Sequence, residues 1–222
     1  MGIAENISAI KATLLDGVRL IAVSKFHPAE AIAEAYEAGQ RDFGESRVQE
    51  LSAKAPVLPD DIHWHFIGHL QTNKVRQLIP HVDTIQSVDS LRLLRLIDSE
   101  AVRVGRTVNV MIQVHVAQEE TKFGFAPDEL LTSLTPEVVE PMHNIIITGI
   151  MGMASNTDDD ERVEADFEAL RRVWQQLKEG VMASNEAFRE LSMGMSHDYH
   201  LAMRHGATMV RIGTDIFGER QY

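Results

Sequence analysis

Short apolar runs rich in β-branched residues alternate along the chain with segments in which apolar residues recur at helical spacing. This alternation predicts strands and helices in turn, and repeated strand–helix units imply parallel strands joined by helical crossovers. One extra helix is expected before the first strand. The predicted strands are Val18–Ser24, Arg41–Gly44, His63–Ile67, Thr84–Val88, Val108–Val116, Asn144–Ile150, Glu190–Gly194 and Thr208–Ile212.

Residues typical of helix ends set the bounds of several intervening helices. Pro28 opens the stretch AEAIAEAYEA, which Gly39 ends. Asp89 is the predicted N-cap of the segment LRLLRLIDSEAVR, and Gly105 closes that helix. The acidic run Asp158–Glu161 suits the positive end of a helix dipole. It therefore predicts the start of a long amphipathic helix rather than a ligand site.

Eight strand–helix units in 222 residues fit an α/β fold, a single (β/α)₈ TIM barrel with an extra N-terminal helix. We expect residues 1–222 to form one domain. The main competitor is a doubly wound open sheet, but no G-x-G-x-x-G follows the first strand. The stretch from Gly68 to Lys74 also lacks the second glycine and the final hydroxyl residue of a phosphate-binding loop.

Composition narrows the function classes. The net charge of −12 repels nucleic-acid backbones and anionic membranes, so neither is an expected partner. The chain has no cysteine, which excludes a disulfide framework, a thiolate metal site and a cysteine nucleophile. The first residues lack the basic start and apolar block of a signal peptide, and no window approaches the ~18 apolar residues of a spanning helix. A cytoplasmic protein is expected.

Unusual polar residues recur where the predicted strands end, which in a parallel barrel is the active face. Lys25 follows the first strand, where partial desolvation would favour a nucleophilic neutral amine, although position alone favours an ordinary lysine that reaches solvent. Gly213 and Thr214 follow the last strand, and Ser196 follows the seventh. They could hold an anion or simply form turns. Arg211 shares a strand face with Gly213 and needs a ligand atom or a buried carboxylate as partner.

Five blocks in chain order resemble the YggS/PROSC family of pyridoxal-phosphate (PLP) homeostasis proteins. The longest is WHFIGHLQTNK, an ungapped stretch over residues 64–74. The other blocks are AVSK at Ala22–Lys25, FGE at Phe43–Glu45, SMGMS at Ser192–Ser196 and MVRIGTDIFGER at Met209–Arg220. The resemblance spans essentially the whole chain and implies a barrel similar to the N-terminal domain of alanine racemase.

The resemblance implies that Lys25 holds pyridoxal 5′-phosphate as a Schiff base (a covalent aldimine). It gives Ser196, Gly213 and Thr214 phosphate-binding roles and places Arg211 opposite the pyridine nitrogen. Ser46 stands where the family commonly has asparagine, and its shorter side chain changes that contact. The cofactor-binding residues predicted in all are Lys25, Ser46, Met151, Ser196, Arg211, Gly213 and Thr214. Gln71, Asn73 and Lys74 belong to the longest block and are expected near the mouth.

A permanently cationic arginine disfavours a protonated ring nitrogen and so weakens the ring as an electron sink. The expectation is therefore a monomeric, non-enzymatic carrier that gives PLP to apo-enzymes, with no room for a racemase's second domain. A small PLP-dependent amino-acid racemase is the alternative, with His69 and Lys122 as acid/base candidates. A phosphosugar-metabolising barrel is a third reading. The histidine pairs His63/His65 and His197/His200 predict no metal site.

Overall fold

The described residues, 2–119 and 123–219 of this computed structural model, form eight parallel strands that close into a barrel in chain order. The last strand pairs with the first in the register Ile21↔Arg211, which closes the ring. The strands are β1 (Arg19–Val23), β2 (Asp42–Glu45), β3 (His63–Phe66), β4 (Thr84–Val88), β5 (Val108–His115), β6 (Ile145–Met153), β7 (Glu190–Ser192) and β8 (Met209–Ile212). The predicted (β/α)₈ TIM barrel is confirmed.

Helices surround the barrel, and the expected extra helix α1 precedes β1. Short 3₁₀ turns at Ala55–Val57 and Thr72–Lys74 flank the connections around β3. A one-turn helix that the pattern did not predict follows β8. The helices are α1 (Ile3–Lys11), α2 (Ala29–Glu37), α3 (Val48–Lys54), α4 (Val75–Leu78), α5 (Leu91–Arg103), α6 (Pro127–Ser133), α7 (Pro136–Val139), α8 (Asp160–Glu179), α9 (Tyr199–Arg204) and α10 (Thr214–Phe217).

Most predicted strand ends are off by one to three residues, and two of the wrong boundaries have a clear physical reason. The N-cap of α5 is Ser90 rather than Asp89, because the Ser90 hydroxyl accepts the Leu93 amide at 3.2 Å. Both residue types cap helices well, so composition could not separate the neighbours. Strand β6 continues past Ile150 to Met153, where it still pairs with β5. Gly152 lies within this extension. An added Cβ there would lie 2.5 Å from the Leu170 side chain of α8, which occupies the space that a larger residue would need.

The main apolar core lies between the barrel and its helices, as expected when strands of a parallel sheet alternate side chains between two buried faces. A separate buried cluster consists of Ile21, Met111, Met151 and Met209, whose strand positions face the barrel interior. Polar side chains, among them Gln86 and Ser192, share that interior. No helix among residues 2–119 and 123–219 is long and apolar enough to cross a membrane.

Candidate functional site

A cavity of about 330 Å³ opens at the carboxyl ends of the strands, the face on which barrel enzymes place their ligands. Its walls contain all seven residues predicted to contact the cofactor, namely Lys25, Ser46, Met151, Ser196, Arg211, Gly213 and Thr214. The cavity volume falls within the range of small-ligand sites. These seven residues come from the ends of five different strands and converge on one pocket, and their roles toward a ligand remain predictions.

The strand end that precedes Lys25 is fixed by a buried ion pair. Glu45, at the end of β2, accepts hydrogen bonds at 2.7 Å from the Ser24 hydroxyl and from the Lys54 ammonium of α3. Lys54 also donates to the Ser24 carbonyl at 3.1 Å. Side chain and backbone of Ser24 are therefore both tied to the same carboxylate–ammonium pair, which holds the chain at the point where Lys25 enters the cavity.

The backbone on the other side of Lys25 is tied as well. Phe26 has a φ of 68°, the left-handed region that costs a non-glycine residue conformational energy. Its amide donates to Glu50 at 2.9 Å, and the Lys54 ammonium lies 3.3 Å from the same Glu50 carboxylate oxygen. We call Ser24, Glu45, Glu50 and Lys54 the Lys54 cluster. The Lys54 cluster thus holds the backbone on both sides of Lys25, including the strained Phe26. These contacts fix the direction in which Lys25 leaves the strand end.

The two carboxyl groups of the Lys54 cluster have pKa values shifted in opposite directions. Burial raises the pKa of Glu45, and the Lys54 ammonium offsets only part of that rise. Burial also acts on Glu50, but the Phe26 amide and Lys54 outweigh it and hold the pKa of Glu50 below its usual value. The second carboxylate oxygen of Glu45 has no hydrogen-bond partner among the described residues. Lys54 is therefore the main group that stabilises the ionised form of the buried Glu45.

Arg211 reaches the cavity from β8 as a buried cation. Its guanidinium donates to the Ser192 hydroxyl at 2.7 Å and to the Gly152 carbonyl at 2.9 Å, both uncharged acceptors. Burial lowers the pKa of Arg211 to about 10, and Asp198 opposes that shift from a distance. The side chain therefore stays positively charged at neutral pH. A permanent cation on the cavity wall suits a ligand that presents a lone pair or a negative charge.

The segments after β7 and β8 add hydroxyl groups to the cavity. Ser196 follows β7, and Thr214 opens the helical turn after β8. Among the described residues no group hydrogen-bonds either hydroxyl, so both are available to a ligand. Gly213 is required for packing rather than for φ, since an added Cβ would lie 3.0 Å from the Val23 carbonyl oxygen. The sequence suggested these residues, and the structure places them on the same cavity.

Several residues of the longest sequence block do not line the cavity. Gln71, Asn73 and Lys74 lie in the segment between β3 and α4, outside the pocket wall. His69 pairs with Asp89 at 3.0 Å and stacks on Phe123 with ring centroids 3.7 Å apart. The other racemase candidate, Lys122, lies outside the described residues.

Two imidazoles on the cavity wall were not predicted as cofactor contacts. His27 lines the pocket and stacks on Phe217 of α10 at 5.1 Å, and His197 lines it beside Ser196. The signal for His27 was its position two residues after Lys25, which repeats the face of an extended segment. Strand β1 ends at Val23, so Lys25 and His27 lie beyond it, where strand alternation no longer fixes the direction of side chains.

The donor set fits a phosphorylated aldehyde with a ring nitrogen. An amine, a guanidinium and two hydroxyls face one cavity, and the amine is the only type among them that condenses with an aldehyde. The hydroxyls suit phosphate oxygens, and the guanidinium suits an unprotonated ring nitrogen as acceptor. The residues present are therefore compatible with pyridoxal 5′-phosphate.

Comparison with known proteins defines the class first. Residues 2–221 match the family model described as "Alanine racemase, N-terminal domain". The chain is 39% identical over 207 residues to the pyridoxal phosphate homeostasis protein of Schizosaccharomyces pombe, covering 91% of this chain and 84% of that one. It is 40% identical over 205 residues to the protein of the same name from Aquifex aeolicus, covering 92% and 88%.

Solved structures agree with this assignment. PipY from Synechococcus elongatus, with PLP bound, is 41% identical and superposes with a TM-score of 0.89, covering 97% of this chain and 100% of that chain. Alanine racemase from Clostridium difficile, at 18% identity, superposes with a TM-score of 0.79 over 100% of this chain and 56% of its own, and shares the fold. The chain belongs to the pyridoxal phosphate homeostasis protein family, as its sequence blocks predicted.

Gly68 provides a test of how tightly the cavity wall is built. A Cβ at this position would lie 2.2 Å from the Ser46 carbonyl oxygen, a backbone atom that cannot move aside without shifting the end of β2. We expect Gly68→Ala to lower the free energy of unfolding by about 3 kcal/mol, at the upper end of overpacking costs. Thermal unfolding followed by circular dichroism measures the loss.

The matched control for that variant is Gly44→Ala on the same barrel. There the nearest atom to an added Cβ is a side-chain methyl of Ile21 at 3.1 Å, which can adjust. We therefore expect a clearly smaller fall in Tm. Equal losses for the two variants would show that the approach of Gly68 to Ser46 is not limiting.

Proposed function

We propose that this chain holds pyridoxal 5′-phosphate reversibly on Lys25 and releases it to apo-enzymes. The observation that supports this most is the convergence of Lys25, Arg211 and the Ser196 and Thr214 hydroxyls on one cavity. The PLP-bound relative PipY, which covers the same length of chain, supports the choice of ligand. One barrel is expected to suffice for binding.

Each wall of the cavity has a proposed task. The Lys25 amine attacks the cofactor aldehyde, a carbon–nitrogen double bond forms and water leaves, and the reverse reaction releases the cofactor. Ser196 and Thr214 donate their hydroxyl protons to phosphate oxygens, next to the close backbone at Gly213. Met151 packs against the ring as an adaptable apolar contact. Ser46, from the end of β2, lines the pocket close to Gly68.

The proposed role is holding rather than turnover because of Arg211. A bound PLP supplies an electron sink, and that sink is strongest when the ring nitrogen is protonated. Arg211 is buried and remains cationic at neutral pH, so it donates to an unprotonated nitrogen and disfavours the protonated one. The expected consequence is reversible covalent storage without substantial carbanion chemistry.

A racemase reading has one observation in its favour. His27 and His197 line the cavity and could exchange protons with a bound amino acid. Steady turnover of any D- or L-amino acid by the PLP-loaded protein, lost in Lys25→Ala, would support that reading over the carrier.

The direct test is chemical trapping. The protein is mixed with PLP, reduced with borohydride and digested, and labelled peptides are located by mass spectrometry. We expect the label on Lys25 and none on Lys54, which is engaged within the Lys54 cluster. Label absent from Lys25 contradicts the proposal. Release is tested by mixing the loaded protein with an apo PLP enzyme, whose activity should return.

A further inference from the structure

A line of buried polar side chains crosses the barrel interior from the cavity to the opposite end. It consists of the buried side chains of Arg211 (β8), Ser192 (β7), Gln86 (β4) and His65 (β3), and it ends at the part-buried Asp42 (β2). We propose that this line, called here the interior chain, is a positioning device that fixes the Arg211 guanidinium and links its charge to Asp42. Its consequence for the ligand rests on the proposed function.

Every link of the interior chain is a hydrogen bond. Arg211 donates to the Ser192 hydroxyl at 2.7 Å, and that hydroxyl donates to Gln86 Oε1 at 2.7 Å. Gln86 Nε2 lies 3.0 Å from His65 Nδ1. His65 Nε2 lies 3.1 Å from Asp42 Oδ1. Four consecutive bonds thus join a cation to a carboxylate.

The two ends determine the direction of every bond between them. A guanidinium can only donate, so Ser192 accepts from Arg211 and has one proton left, which goes to Gln86 Oε1. The Gln86 amide nitrogen then faces His65, and its second proton points to the Met209 sulfur at 3.8 Å. A carboxylate can only accept, so a neutral His65 carries its proton on Nε2 and presents the Nδ1 lone pair to Gln86.

The reverse arrangement identifies what would break the chain. If His65 carried a proton on Nδ1, two donors would face each other at that link, and the Gln86 amide would have to turn over. Its nitrogen would then point at Ser192, which already accepts from Arg211. Aligned hydrogen bonds polarise one another in a low-dielectric interior, so that reversal would weaken the hydrogen bond between Arg211 and Ser192.

Burial makes these links consequential. Ser192 and Gln86 are fully buried and His65 is 2% exposed. The surrounding interior is apolar, with Ile21, Met111 and Met151 among its side chains. A polar group that loses its partner there keeps its full desolvation penalty without a hydrogen bond to offset it. An apolar filling would be cheaper, so the polar line is consistent with a requirement for orientation.

The far end of the interior chain holds a negative charge. Burial raises the pKa of Asp42, but the His65 hydrogen bond and the nearby Arg19 and His63 side chains outweigh it, so the pKa lies below its usual value. Arg19 is 3.8 Å from Asp42 and also pairs with Glu190 at 2.7 Å. Asp42 is therefore an anion at neutral pH, anchored at the rim opposite the cavity.

Arg211 needs such a link because its immediate surroundings do not balance it. Among the described residues no carboxylate lies within ion-pairing distance of its guanidinium, and Asp198 acts only over a longer distance. Ser192 and the Gly152 carbonyl hold two of its nitrogens. The side chain still lines the cavity, so the interior chain fixes the plane in which the guanidinium meets a ligand.

The first test uses the protein without cofactor. In ¹⁵N-labelled protein at pH 7, long-range ¹H–¹⁵N spectra report which imidazole nitrogen of His65 bears the proton. Because Gln86 Nε2 faces Nδ1 and Asp42 faces Nε2, we expect a proton on Nε2 and none on Nδ1. A proton on Nδ1, or a doubly protonated ring, overturns the inference whether or not the chain binds PLP.

The second test asks whether the interior chain affects ligand binding in the cavity. Ser192→Ala and Gln86→Leu each remove a link, and neither residue lines the cavity. With the PLP-loaded protein we expect Kd to rise about tenfold, the equivalent of one lost buried hydrogen bond, and the visible absorption band of the bound cofactor to shift. Ser192→Ala adds no volume and remains informative should Gln86→Leu fold poorly.

The matched control is Ser87→Ala. Ser87 lies on β4, and its fully buried hydroxyl has no hydrogen-bond partner among the described residues. Its PLP Kd and absorption band should match those of the unmodified protein. If the two chain variants lower Tm yet leave Kd and the band unchanged, the interior chain is only structural and the inference fails. Unmodified protein that binds no PLP would instead refute the proposed function.

Discussion

Replacement of Lys25 by alanine is expected to abolish the visible colour of the PLP-loaded protein and to weaken PLP binding by about 100-fold or more. A 100-fold loss corresponds to about 2.7 kcal/mol of binding free energy. Lys25→Ala removes the only covalent link proposed for this site, whereas the Arg211 and hydroxyl contacts remain. Absorbance titration gives the colour, and equilibrium dialysis gives the affinity.

Lys74→Ala provides the matched control. Lys74 lies in the longest block that resembles the family, yet the structure places it outside the cavity wall. We expect its alanine variant to keep colour and affinity close to those of the unmodified protein. If Lys74→Ala loses colour while Lys25→Ala retains it, the assignment of the covalent lysine is wrong. Circular dichroism of both variants separates loss of binding from loss of fold.

The order of elements could be predicted because it depends on local pattern. Strand β4 lies at its predicted bounds, and the long helix α8 begins within the acidic run that indicated it. Boundaries were missed where two local signals competed. Ser90 and Asp89 are both good caps, and the β-branched run that indicates β6 ends at Ile150 although the strand continues through Met151-Gly152-Met153.

The walls of the cavity could be predicted only in part from the sequence alone. The rule that ligands bind at carboxyl ends of barrel strands singled out Lys25 and the residues after β7 and β8. The same rule put Met151 at the end of the sixth strand, and the family resemblance added Ser46. Each of these lies within two residues of a strand end or beyond it, so its position follows from its own strand without knowledge of any partner strand.

Interactions inside the barrel could not be predicted in this way. His63 and His65 share one strand face in the sequence, but barrel closure leaves His63 largely exposed and buries His65 between Asp42 and Gln86. His63 is the first residue of β3 at the rim of the barrel, whereas His65 lies two residues further in. The pairing of Glu45 with Lys54 likewise depends on how α3 packs over β2, and no spacing rule fixes that contact.

Lys54→Met is expected to lower the free energy of unfolding by about 3–5 kcal/mol, the usual cost of breaking a buried pair by removing one partner. Methionine keeps most of the volume but no charge, so Glu45 would remain fully buried with only the Ser24 hydroxyl as donor. The Ser24 carbonyl would also lose its ammonium donor. Urea denaturation at neutral pH measures the loss.

The loss should depend on pH in a definite direction. Burial raises the pKa of Glu45 in the folded protein above its usual value of 4.5, and removal of Lys54 eliminates the strongest opposing interaction. With a raised pKa the folded state binds more protons than the unfolded state. Stability from this group is therefore present below the unfolded pKa and is lost as pH rises through the folded pKa. The Lys54→Met penalty should shrink at mildly acidic pH and be largest at neutral pH.

A double variant separates charge burial from simple packing. Adding Glu45→Gln to Lys54→Met removes the buried anion while the amide oxygen still accepts from Ser24, so we expect the double variant to be more stable than Lys54→Met at neutral pH. Its penalty should also lose most of its pH dependence, because Glu45 no longer titrates. If the double variant is less stable still, with losses that simply add, then the two side chains contribute independently and the ion pair is not what holds the strand end before Lys25.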